Sequence, residues 1–182
     1  MKLKLKNVRI AFPHLFVASA VNEGDAKAFS AAFIFPPDHP AKAELDDACK
    51  AIAKEKWGAK WEAIYKSILA GDKLAIHDGD KKAEYEGYEG NFFLNARNKT
   101  KPTVRDVDGI TALEEASGKP YAGCFVVAHV ELYAQDNSYG KRINASLRGV
   151  QFYRDGDAFS GSPPAGDEEF EALDAGDSDD LM

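Results

Sequence analysis

Four cations stand within nine residues of this chain: Arg97, Lys99, Lys101 and Arg105, with no acid between them. A strand, a turn and a second strand would set them along one rim. Alternation places Phe93 and Asn95 on the same strand face as Arg97. A basic groove interleaved with aromatic rings is what single-stranded nucleic acid requires: cations track phosphates, and each ring stacked on an unpaired base contributes ~1–3 kcal/mol. Tyr139, Lys141, Arg142 and Arg148 make a second cluster, and Tyr133 shares the non-core face of the preceding segment with Phe125 and His129. A hydrophilic hairpin with surface cations explains the first cluster equally well, and a helix packed over Phe125 and Tyr133 would explain the second.

Other chemistries have less material. The histidines are His14, His39, His77 and His129, and no two have the i, i+4 spacing of a helical metal site. His77-Asp78-Gly79-Asp80 offers metal ligands, but an Asp/Gly-rich segment is first of all a turn. No serine or cysteine sits in a glycine elbow. Gly87-Tyr88-Glu89-Gly90 carries acids where a phosphate cradle wants amides and lysine. No enzymatic activity, metal or cofactor is expected. The enzymatic rival is a metal-dependent nuclease or phosphatase built on His77, Asp78 and Asp80.

These residues must be positioned by strands. Residues 2–12, KLKLKNVRIAF, alternate, with a bulge expected at Lys6-Asn7 and a loop over 13–26. KAFSAAFIF at 27–35 is a second strand, ended by Pro36-Pro37. Helical spacing runs from Asp38, the expected cap, through Leu45, Cys49 and Ile52. It continues past Gly58 to Trp61, Ile64 and Ile68, so a helical insertion spans about 38–70, with Trp57 and Trp61 turned to the core. Leu74–Ile76, Asn91–Arg97 and Pro102–Asp106 are short strands. Residues 121–135 and 142–154 are long ones that suit a hairpin, and the apolar phase flips at Gly149. About six strands and one helical insertion are closed most economically as a five-stranded barrel of the OB type, a β-sandwich being the alternative.

Charge divides the chain further. It has 182 residues, 23 basic and 30 acidic, for a formal charge of −7. Ten of the acids, and no Lys or Arg, lie from Asp155 to Met182, so residues 1–154 carry 23 basic against 20 acidic groups, a net +3. The expected organisation is a mildly basic domain over 1–154 and a disordered acidic tail over 155–182. No apolar run is long enough for a membrane span. Cys49 and Cys124 are too few for a disulfide scaffold, which fits a cytoplasmic protein with buried, reduced thiols. The tail has a solubilising reading and two sharper ones. In one, Asp167, Glu168, Glu169, Phe170, Asp177, Asp179, Asp180, Leu181 and Met182 dock on a partner protein. In the other, the acids compete for the basic groove of their own domain. An interaction or scaffold protein, in which only the tail matters, is the non-enzymatic rival.

Asn91-Phe-Phe-Leu-Asn-Ala-Arg-Asn-Lys-Thr-Lys-Pro-Thr-Val-Arg-Asp106, Gly123-Cys-Phe-Val126, Asn144-Ala-Ser-Leu-Arg-Gly-Val-Gln-Phe-Tyr-Arg-Asp-Gly156 and Asp167-Glu-Glu-Phe-Glu-Ala-Leu173 follow one another at characteristic spacing, after a start at Leu5-Lys-Asn-Val-Arg9. In this order they resemble the bacteriophage single-stranded DNA-binding proteins of the DUF2815 type, over nearly the whole chain. The resemblance implies an OB-fold and sequence-independent binding of single-stranded DNA in phage replication or recombination. It also implies a tail that recruits phage or host replication and recombination proteins, and a place in the cytoplasm of a phage-infected or prophage-carrying bacterium. Self-association is left open. The ending Asp179-Asp-Leu-Met182 departs from the Pro-Phe or lone Phe termini of better-known relatives. On this reading Arg97, Lys99, Lys101, Arg105, Lys141, Arg142 and Arg148 meet phosphates, Asn95 lies between them, and Phe93, Tyr133 and Tyr139 stack on bases.

Overall fold

A long first strand, β1 (Lys2–Ser19), serves two neighbours in a computed structural model that describes residues 1–20, 22–159 and 171–173. Its first half pairs antiparallel with β6 (Phe125–Asn137) and its second half with β2 (Ala28–Phe35). The register shifts between Leu5 and Val8, where Asn7 adopts a φ of 57°, which is the expected bulge. The strand does not stop at Phe12 as expected. Pro13 sits in the region where the pairing with β2 is irregular, so its missing N–H interrupts no regular ladder, and Leu15 still points into the core.

The ring continues from β2 to β4 (Phe92–Asn98), with β3 (Ile76–Asp78) on the far edge of β4. β6 forms the expected long hairpin with β7 (Gly140–Arg154), and the short β5 (Thr103–Arg105) runs parallel to β7. One parallel bridge, Arg97 to Ser146, joins β4 to β7 and closes a five-stranded barrel in the order β1-β2-β4-β7-β6. Asn98 Nδ2 fastens the closure by donating to the Leu147 carbonyl at 3.0 Å. Closure buries every second side chain: Leu5, Val8, Ile10, Phe33, Leu94, Val126, Val130, Ile143 and Leu147 fill the interior.

The helical insertion is α1 (Pro40–Trp57) and α2 (Trp61–Ala70), separated by a single 3₁₀ turn that starts at Gly58. They lie against β6 and β7 and bury Leu45, Cys49, Ile52, Tyr65 and Ile68 in the barrel core. They do not cover the face of Phe125 and Tyr133. Trp57 and Trp61 are half-buried at the edge of this packing, and Trp57 Nε1 donates to Asp136 at 3.0 Å. The helix cap is His39, not Asp38. Its Nδ1 accepts from the Ala41 amide at 2.9 Å, and its Nε2 lies 3.1 Å from the Asn7 carbonyl, so one neutral tautomer satisfies both contacts. Both cysteines are buried, and burial is the main reason the thiol pKa values rise, to about 12 for Cys49 and about 11 for Cys124.

Residues 155–159, expected to begin the disordered tail, instead lie along the barrel. Arg9 donates from Nε to the Gly123 carbonyl at 2.8 Å and from its terminal nitrogen to the Asp157 carbonyl at 2.6 Å. Its guanidinium also sits 4.1 Å from the Phe159 ring centre. The Phe159 amide donates to Ala122, and Tyr121 Oη donates to Asp155. The tail residues Asp167, Glu168, Glu169, Phe170, Asp177, Asp179, Asp180, Leu181 and Met182 lie outside the described residues.

Candidate nucleic-acid interface

Strand pairing decides which cations meet, and the closure bridge adds Arg97 to them. Outward-facing residues form a row around the barrel through successive pairings: Lys2, Glu131, Ser146, Arg97, Ser30 and His14. The next row runs Lys4, His129, Gly149 and Thr103. Between the rows β7 carries one extra residue, Arg148, because His129 pairs with Gly149 while Val130 pairs with Leu147. This is the phase flip expected at Gly149. A Cβ there would come within 3.1 Å of the Thr103 carbonyl, so glycine lets β5 approach β7 closely.

Beside this bulge lies an open groove of about 370 Å³, lined by Lys4, Thr103, Arg105, Gly109, His129, Arg148, Gly149, Val150 and Gln151. It presents three permanent cations and one imidazole, and among the described residues no carboxylate lines it. The Arg105 guanidinium is steadied by donating to the Ile110 carbonyl at 2.9 Å. His129 is half-buried. Desolvation first, then Lys4 and Arg148, hold its pKa below the ordinary imidazole value. An anion placed between these groups would reverse both charge effects.

The expected residues sort into three places. Arg105 and Arg148 line the groove. Arg97 lies one bridge away, donating to the Ala26 carbonyl at 3.3 Å, with exposed Lys99 and Lys101 following on the crossing to β5. Asn95 is exposed two residues earlier on the outer face of β4. Lys141, Arg142 and Tyr139 belong elsewhere, at the tip of the β6–β7 hairpin. Arg142 is six residues from Arg148 along one strand, roughly 20 Å at the usual rise, and Lys141 is paired with Asp136 at 3.7 Å. Tyr133 is exposed between these ends, opposite Asn144. Lys4, His129, Thr103 and Gln151 were not among the expected site residues. Alternation marks Lys4 and His129 as outward-facing, but only pairing across strands brings them together.

Phe93 requires a correction. Only 5 % of its surface is exposed, because Tyr88 packs against it with ring centres 4.8 Å apart and His77, its partner on β3, lies 5.1 Å away. The aromatic surface has moved one layer outward, to Phe12 (51 % exposed) and Tyr85 (41 % exposed), whose rings meet edge to face at 5.0 Å. The loop over 79–91 makes this layer possible. Gly79 donates to the Asn91 carbonyl at 2.7 Å, and Tyr88 is buried deeply enough that its hydroxyl pKa rises to about 12. Phe12 and Tyr85 flank a second hollow with Glu84, Glu86 and Phe159. Its rings can receive an apolar group or a base, but its carboxylates repel a phosphate. From Phe93 along β4 to Arg97, then over the bridge to Arg148, the outer surface makes one track of roughly 25 Å.

The residues of the nuclease alternative are occupied otherwise. His77 Nδ1 lies 2.9 Å from Asp72, Asp78 accepts from the Asp80 amide at 2.9 Å, and Asp80 accepts from the Gly90 amide at 2.7 Å. The two carboxylates shape a turn, and no group of three or more metal-ligating side chains occurs among the described residues.

The chain as a whole is similar to known proteins. Protein p50 of Acyrthosiphon pisum secondary endosymbiont phage 1 is 44% identical over 185 residues, covering 100% of this chain and 99% of its own. The single-stranded DNA-binding protein of bacteriophage Enc34, solved in complex with single-stranded DNA, superposes with a TM-score of 0.75 at 27% identity, covering 87% of this chain and 89% of that one. The gp2.5 single-stranded DNA-binding protein of bacteriophage T7 shares the fold at a TM-score of 0.57 and 11% identity, covering 91% of this chain and 98% of its own. The family model described as the single-stranded DNA-binding protein of Enterobacter phage Enc34 matches residues 1–182. With its whole length matched and its barrel shared, this chain belongs to the Enc34 phage single-stranded DNA-binding protein family.

Proposed function

We propose that this protein binds single-stranded DNA without sequence preference and without catalysis, in the replication or recombination of phage DNA in the bacterial cytoplasm. The observation that carries the reading is the gathering of Arg148, Lys4, Arg105 and His129 in one groove that no carboxylate lines among the described residues, with Arg97 joined to β7 beside it across the barrel seam. Membership in a family with a member solved on single-stranded DNA supports it. Phosphates lie on the cations of the groove, and the bases face away from them. Affinity is then mainly counterion release, which is indifferent to sequence and steeply dependent on salt.

The acidic tail has two roles in this proposal. Residues 160–182 carry eight acids and no Lys or Arg. They recruit basic surfaces of replication or recombination proteins, and they compete with DNA for the groove. The strap at 155–159 supports both roles, because it gives the acidic stretch a fixed point of departure beside Arg9.

Titration of a fluorescent oligo-dT and of a matched duplex at two salt concentrations tests the reading. Tight, salt-sensitive binding with a single-strand preference is expected. Deleting residues 161–182 should tighten binding at low salt. Absence of binding with the tail deleted would refute the DNA reading.

A further inference from the structure

The turn that follows β5 exposes two large apolar side chains. Its residues are Asp106-Val107-Asp108-Gly109-Ile110-Thr111. A tight turn ordinarily exposes its polar side chains. Here both carboxylates turn to the backbone. Asp106 accepts from the Val107 amide at 2.7 Å and holds Lys119 at 3.1 Å. Asp108 accepts from the amides of Ile110 and Thr111 and from the Thr111 hydroxyl, at 2.9, 2.8 and 2.6 Å. Beside the exposed Asp108 and Thr111, two apolar side chains stand in solvent: Val107 is 58 % and Ile110 79 % exposed.

The turn is also tied to the groove. Arg105 donates to the Ile110 carbonyl, Gln151 donates to the Val107 carbonyl at 3.0 Å, and Gly109 itself lines the groove beside these two side chains. Two backbone bonds close the turn on itself: the Asp106 amide donates to Thr111, and the Gly109 amide to Asp106. Just beyond, Leu113 is buried and its amide donates to Val104. Two β-branched side chains, stiff in themselves, are therefore held at a fixed place beside the groove, on either side of its lining residue Gly109, and little freedom remains to be lost when something packs on them.

Among the described residues the groove supplies cations but no apolar cover, since its one aliphatic lining side chain, Val150, is buried in the barrel. Building on the DNA-binding reading above, we propose that Val107 and Ile110 form an aliphatic rim on which a base of the bound single strand packs, with Ile110 as the wedge. Aliphatic side chains serve in this way elsewhere, inserted between base steps. The rim contributes contact with the base and no charge, so its effect is separable from that of the cations.

The test uses the full-length protein and two probes of equal length and charge, a labelled oligo-dT and a labelled abasic oligodeoxynucleotide. The double variant Val107→Ala/Ile110→Ala should bind oligo-dT about tenfold more weakly, the scale of removing most of one aliphatic contact. Its salt slope should be unchanged, and its affinity for the abasic strand should equal that of the parent. Both positions are exposed, so the melting temperature should hold. Arg148→Ala, measured in parallel, should lower the salt slope with both probes. An unchanged oligo-dT affinity in the rim variant would overturn the rim. So would an equal loss on both probes, which would mean an effect not directed at bases. If Arg148→Ala is silent as well, the groove reading itself fails.

Discussion

Replacing Arg148 by Ala isolates one cation of the groove. The side chain is exposed on a bulge, at the junction between the row containing Arg97 and the row containing Lys4 and His129. Its removal leaves the barrel interior untouched. On single strands each neutralised phosphate contributes about 0.7 to the slope of log affinity against log salt. The matching free energy is 0.7 RT ln(1/[salt]), about 1.2 kcal/mol at 50 mM and about 0.3 kcal/mol at 500 mM. Arg148→Ala should therefore weaken binding roughly eightfold at 50 mM and less than about twofold at 500 mM, with the slope reduced by about 0.7. Fluorescence anisotropy with oligo-dT at four or five salt concentrations measures this. Arg142→Ala, at the hairpin tip, is the matched control and should leave the slope unchanged. An equal loss at every salt concentration would refute a phosphate contact. A larger effect for Arg142 than for Arg148 would place the DNA along the hairpin instead of the groove.

His129 should make binding and stability respond to pH in opposite directions. Its folded pKa is lowered, so the unfolded chain binds the proton more readily, and stability should fall as pH drops through the unfolded value of 6.5. A phosphate between Lys4 and Arg148 favours the charged ring, so DNA affinity should rise over the same interval. His129→Gln should flatten both profiles, and a persistent pH dependence of affinity in that variant would exclude the imidazole. Gly156→Ala would press a methyl group on the Gly123 carbonyl and the Phe125 ring and should release the strap, at about 1–3 kcal/mol. Loss of hydrogen-exchange protection at the Phe159 amide reads this out, and retained protection would contradict it. Leu147→Ala removes a fully buried side chain beside the seam and should destabilise by about 2–5 kcal/mol in urea melts. Leu69→Ala, on the exposed side of α2, should stay within about 0.5 kcal/mol.

Local pattern in this chain carried whatever depends on neighbours in sequence. Alternation marked the inward set Val126, Ala128, Val130 and Leu132, helical spacing marked Leu45, Cys49 and Ile52, and phase breaks marked the bulges at Asn7 and before Gly149. The run from Arg97 to Arg105 announced a cationic edge for the same reason. Alternation also gave Phe93 its correct outward face on β4. It did not reveal that the loop over 79–91 folds back and seats Tyr88 upon that ring, because the covering residue comes from another segment. The extension of β1 past Pro13 was hidden because a proline is tolerated where the ladder is irregular, and that depends on the partner strand.

The site itself belongs to the tertiary structure. Lys4, His129, Arg148 and Arg105 come from four strands, and what assembles them is register: Lys4 opposite His129, His129 opposite Gly149, Gly149 opposite Thr103. A shift of one residue in any of these pairings would turn the side chains of that strand to the other face. The sequence by itself determined most of the elements, the faces they bury and the opposite charges of residues 1–154 and 155–182, because these follow from composition, from local sterics and from the apolar surface each segment must hide. Only the pairing of strands decided which cations become neighbours, closure through Arg97 and Ser146 adding Arg97 to them, because strand pairing satisfies backbone hydrogen bonds between segments that no local pattern connects.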